Sequence, residues 1–133
     1  MLIIRDRKRM RYIMEYKRWN VSEKDLKNLT PEKARELIEE CIFQAQKETV
    51  QCVAMAMGKG KSEDAMKKQT GEMIRNAFNE TGGSYDNPYY DSLNAVVQFL
   101  AKNVVSWGTP PEIANHHKEQ LEIVLNKLKE NKQ

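Results

Sequence analysis

The chain has 133 residues, of which 40% are hydrophobic and 31% charged, with 6 Gly, 4 Pro and a formal net charge of +3. That length is one domain's worth of chain, able to bury about two thirds of its unfolded surface without disulfide or metal staples. The balance excludes a membrane protein, the scarcity of Gly and Pro excludes a collagen-like or linker-like chain, and a charge this small does not by itself imply nucleic acid.

The first element is a basic arm or helix over residues 1–20. Arg5, Arg7, Lys8, Arg9, Arg11, Lys17 and Arg18 stand against only Asp6 and Glu15, whereas the other 113 residues carry a net −2. Arg5, Arg7, Lys8, Arg9 and Arg11 suit phosphate neutralisation, and Tyr12 and Trp19 supply rings that stack on bases. These seven residues are the candidate nucleic-acid contacts. The plainer reading, a solvated basic arm, is preferred because no nucleic-acid module accompanies it. Met14 is an alternative start, which would put residues 1–13 upstream of the native chain and leave a net charge of −1. No long apolar stretch or small-residue cleavage site marks a secretory signal or a membrane span, so a cytoplasmic protein is expected.

Residues 21–133 read as a single helical-bundle domain. Ser22-Glu23-Lys24-Asp25 starts a short helical turn ending near Asn28, with Val21, Leu26 and Leu29 available to pack it on the body. Thr30-Pro31-Glu32 is a helix start: Thr at the N-cap, Pro in the first position, acid in the first turn. From there Ala34, Leu37, Ile38, Cys41, Ile42, Ala45, Thr49, Cys52, Val53 and Ala56 recur at three and four, one helical face ending at Gly58 and Gly60. Ser62-Glu63-Asp64 starts the next helix, with Met66, Thr70, Met73, Ile74, Ala77 and Phe78 as its stripe and Gly82-Gly83 as its stop. Gly71 inside it costs about 1 kcal/mol relative to Ala, which predicts that another backbone packs closely there.

The segment Gly82 to Pro88 is the main loop. A third long helix is expected from Asn87 or Pro88 to Trp107, with Tyr89, Leu93, Val96, Val97, Leu100, Val104 and Trp107 on its stripe and Phe99 and Val105 off it. Thr109-Pro110-Pro111-Glu112 repeats the start signal for a last helix bearing Ile113, His117, Leu121, Val124, Leu125 and Leu128. The fold class is therefore all-α: four long helices in an antiparallel bundle-like arrangement plus a short N-terminal helical segment.

Candidate chemistry is sparse. Cys41 and Cys52 lie eleven residues apart on one helix, about 16 Å, too far for a disulfide; both read as buried small hydrophobes. Gly60-Lys61-Ser62 resembles the end of a phosphate loop, but Met55 stands where its first Gly belongs and no strand precedes it. His116 and His117 are weak metal candidates. Adjacent helical residues point about 100° apart, and His117 falls on the apolar stripe, so a buried hydrogen-bonded histidine is the preferred reading. Glu48 is read as a solvated edge of the first long stripe. Seven methionines, four of them flanking residues 58–62, read as core filling. Tyr85, Tyr89, Tyr90, Phe99 and Val105 are the candidate interface residues, either exposed as contact area or folded over the bundle end.

The leading functional expectation is a small helical protein acting through protein contacts as a homo-oligomer, with no cofactor, no catalytic constellation and no membrane partner. The alternatives are a nucleic-acid-binding factor using the basic arm, and a metal-binding or enzymatic role around His116 and His117.

Overall fold

The computed structural model describes residues 18–57, 63–103 and 111–131, with backbone alone for residues 50–57 and 103. Its elements are a short α1 (Glu23–Leu26) and four long helices, α2 (Pro31–Met57), α3 (Glu63–Thr81), α4 (Tyr90–Asn103) and α5 (Pro111–Asn131). The fold is all-α, with the long helices packed against each other and no strand among the described residues.

The punctuation acts as its chemistry requires. The Ser22 hydroxyl accepts from the Asp25 amide and caps α1, and Asn28 then reverses the chain in the left-handed region at φ 51°, a conformation Asn tolerates better than most residues. The Thr30 hydroxyl accepts from the Lys33 amide and its carbonyl from the Ala34 amide, so α2 begins on a complete N-cap. Two bonds close α3: the Gly82 amide donates to the Asn79 carbonyl and the Gly83 amide to the Phe78 carbonyl, with Gly82 at φ +79°. This is the Schellman arrangement, which needs a left-handed residue at its centre.

Around the bundle the order is α2, α3, α4, α5 and back to α2, with α2 also touching α4 across the middle. Residue pairs give the directions. Lys47, late in α2, pairs with Glu63 at the start of α3, whereas Arg35 and Arg75 share the ring of Tyr85. Glu48 meets His117 early in α5, whereas Asn131 at its end donates to the Leu29 carbonyl ahead of α2. Both neighbours therefore run antiparallel to α2. Ile38, Ile74, Phe78, Leu93, Val96, Leu100 and Val124 form the centre, each at most 1% exposed, and each contributes about 1.5–3 kcal/mol by burial.

Three expectations need correction. The helix after the main loop starts at Tyr90 rather than at Asn87 or Pro88. Tyr89 caps it: its carbonyl accepts from the Leu93 amide, while its own amide donates to the Ser92 hydroxyl. Tyr89 is consequently off the core stripe and 55% exposed. Gly71 has no atom within 4 Å of where a Cβ would stand, so no backbone packs closely on it. The expected ends of the first and third long helices, at Gly58 and Trp107, lie outside the described residues.

Candidate functional site

Between α2 and α5 lies a polar seam within the apolar core. Glu48, expected at a solvated edge, is only 2% exposed, which overturns that reading. Cys41 and Glu48 are seven residues apart, two helical turns, so both point at α5. There the His117 ring fits between them, with Nε2 2.9 Å from Glu48 Oε1 and Nδ1 3.6 Å from Cys41 Sγ. A carboxylate can only accept, so the imidazole donates to Glu48 through Nε2. The Cys41 thiol faces Nδ1 and the His117 carbonyl oxygen, the latter 3.4 Å away. Burial first, then the Glu48 and Glu40 carboxylates, push the thiol far above its ordinary value. It therefore stays protonated at neutral pH, the opposite of an activated nucleophile.

The seam extends to the root of the basic segment. Arg18 Nε lies 3.9 Å from Glu48 Oε2, close enough for an ion pair but too far for a hydrogen bond, and that buried nitrogen has no hydrogen-bond partner. His116 Nε2 donates to the Trp19 carbonyl oxygen at 2.8 Å. The Val21 amide donates to buried Gln120 Oε1 at 2.8 Å, and the rings and side chains of Trp19, Val21 and Leu26 rest on the core. Three successive contacts thus clip residues 18–21 onto α2 and α5. The two histidines diverge, with ring planes at 85° and centroids 5.3 Å apart, and each is committed to a different partner. Among the described residues no three His, Cys, Asp or Glu side chains converge in a way that would hold a metal ion.

The second polar locus is the loop after α3. Tyr85 is folded back over the bundle: its ring meets Phe78 edge-on at 5.8 Å and its hydroxyl donates to Glu39 on α2. The Arg35 guanidinium carbon lies 4.3 Å from the Tyr85 ring centroid and that of Arg75 4.6 Å, and Arg35 also donates to the Tyr85 carbonyl. Burial, then the bond to Glu39, raises the Tyr85 hydroxyl above its ordinary value.

The candidate residues therefore separate. Arg5, Arg7, Lys8, Arg9, Arg11 and Tyr12 lie outside the described residues, as does Val105. Trp19 is half-buried, with its side chain packed against the core. Tyr90 and Phe99 likewise pack on the core, leaving Tyr89 as the exposed member of the interface set. Sequence reasoning missed Arg18, Arg35, Glu39 and Arg75. The two-turn spacing of Cys41 and Glu48 was a usable signal for the seam, but nothing local links Arg35 to a tyrosine fifty residues away.

Across known proteins, the family model described as Smr domain matches residues 24–107, which takes in α1 to α4 and omits Arg18, His116 and His117. No curated protein and no solved structure matches the chain.

Proposed function

The chain belongs to the Smr domain family, and from that membership we propose that it binds nucleic acid, with Arg5, Arg7, Lys8, Arg9 and Arg11 supplying phosphate contacts. Domains of this family are often associated with nucleic-acid binding or nuclease chemistry. The observation that carries the reading is the clip at residues 18–21: Arg18 on Glu48, the Trp19 carbonyl on His116 and the Val21 amide on Gln120. A basic segment whose root is fixed on the bundle presents its charge from a defined point, which lowers the ordering cost of binding. The buried seam serves as the anchor of this arrangement, with Cys41 and His117 holding Glu48 in place for Arg18.

Fluorescence anisotropy with a labelled single-stranded oligonucleotide tests the reading. Five phosphate contacts from Arg5, Arg7, Lys8, Arg9 and Arg11 would give a slope of log K against log salt of about −3.5. Binding is expected to weaken steeply between 50 and 200 mM salt, roughly the range where counterion release is read out, and to fall further on deletion of residues 1–13. Absence of binding at low salt, or binding indifferent to that deletion, would overturn it.

A further inference from the structure

We propose that Arg35 of α2 and Arg75 of α3, gathered on the ring of Tyr85, form a second phosphate-binding site, one that takes a backbone phosphate of the same nucleic acid. The inference rests on the nucleic-acid reading and extends it to the loop after α3, where α2 and α3 meet Tyr85.

Two guanidiniums share one aromatic ring, at 4.3 and 4.6 Å from its centroid, so their central carbons lie within about 9 Å of each other, roughly one Debye length at 0.1 M salt. Like charges at that distance repel, and an anion beside the pair relieves the repulsion. Nothing in the protein does so directly. Among the described residues neither guanidinium pairs with a carboxylate, although Glu32 and Glu72 each stand three positions before one of them on its own helix. Glu39, the one carboxylate bound to the cluster, accepts from the Tyr85 hydroxyl. The local balance is two cations to one engaged acid.

The geometry also leaves donors available. A guanidinium held against a ring face keeps its N–H groups in its own plane, directed outward past the ring edge. Arg35 uses one terminal nitrogen on the Tyr85 carbonyl, and its buried Nε has no partner. Arg75 is exposed and donates to no acceptor among the described residues. Planar donor forks of this kind match phosphate oxygens better than lysine ammonium groups do. The ring brings both guanidiniums together, and Tyr85 is itself held by Phe78 and Glu39. Arg75 is therefore the contact residue with the least structural duty, and Tyr85 is a positioning residue.

The test is one 15N-labelled sample of the full chain, titrated separately with a single-stranded oligonucleotide and with inorganic phosphate, observing the Arg Nε–H signals. The expected result is movement of the Arg35 and Arg75 signals in the oligonucleotide arm. Arg75→Gln should weaken oligonucleotide binding about 3–10-fold and reduce the salt slope by about 0.7. Lys118→Gln, on α5, is the control expected to change neither signal. Tyr85→Phe keeps the ring and should preserve binding, whereas Tyr85→Ala should lose as much as Arg75→Gln while Arg75 itself remains. Oligonucleotide binding with both arginine signals unmoved overturns this site and leaves the basic segment's role standing. Movement with inorganic phosphate alone, without oligonucleotide binding, overturns the nucleic-acid reading and assigns the site to free phosphate. No movement in either arm together with no oligonucleotide binding overturns both.

Discussion

Glu48 shows how one side chain organises its surroundings. A buried carboxylate is tolerated only with partners that compensate its lost hydration. Here His117 supplies a hydrogen bond and Arg18 a charge. Glu48→Ala would leave both partners facing an apolar gap, and we expect a loss of about 2–4 kcal/mol in urea-denaturation stability; a loss below about 0.5 kcal/mol, the size typical of surface changes, would refute the anchoring role. Cys41 adds a pH dependence whose sign follows from burial. Its thiol is raised in the folded state, so folded protein retains the proton where unfolded protein begins to lose it, near 9.0. Stability from this group is intact below that pH and declines above it, by up to about 1.4 kcal/mol per pH unit. Cys41→Ala should flatten the alkaline limb of a Tm-against-pH profile. An unchanged slope would show that the thiol is not the source.

At the scale of elements, the glycines of α3 and its loop separate propensity from packing. Gly71 sits in a helix with open space around its missing side chain. Gly71→Ala is therefore expected to stabilise by about 0.5–1 kcal/mol. Gly83 is the opposite case: a Cβ there would stand 3.0 Å from Ser92 Cβ and 3.2 Å from Phe78 Cδ1. Gly83→Ala should lower Tm, because Phe78 is 1% exposed and Ser92 is engaged in capping α4, so neither moves easily. Thermal unfolding of the two variants side by side checks both signs. The same loop explains why α4 starts late. Tyr85 is drawn onto α2 and α3 by Glu39, Arg35 and Arg75, and the chain regains helical geometry only at Tyr90.

For the whole molecule, the question is what the surface can hold. A stable homodimer buries about 800 Å² per partner around an apolar centre. Among the described residues the exposed large hydrophobics are Tyr89 and Ile123, at 55% and 41%. Among the described residues these two side chains alone do not make such a centre, and light scattering against the monomer mass of 15.5 kDa is the measurement that decides the homo-oligomer expectation. A dimer mass would support association through protein contacts, and a monomer mass would count against it. Among the described residues no helix is long and apolar enough to cross a membrane. The asymmetry of charge, +5 in residues 1–20 against −2 in the remainder, is the property most directly coupled to a polyanionic partner.

Helix type, chain order and the start of α2 were legible in residues alone, because capping and stripe periodicity are local: Thr30 before Pro31, Gly82 after Thr81, and apolar positions at three and four each act within a turn or two of themselves. His117 on the core stripe was legible for the same reason. The burial of Glu48, the clip at Arg18 to Val21 and the gathering of Arg35 and Arg75 on Tyr85 were decided by tertiary structure. Apart from Arg75 and Tyr85, which are close in the chain, the partners stand 30 to 99 positions apart, and their pairing depends on which helix faces fold together, a choice no single stretch of chain contains.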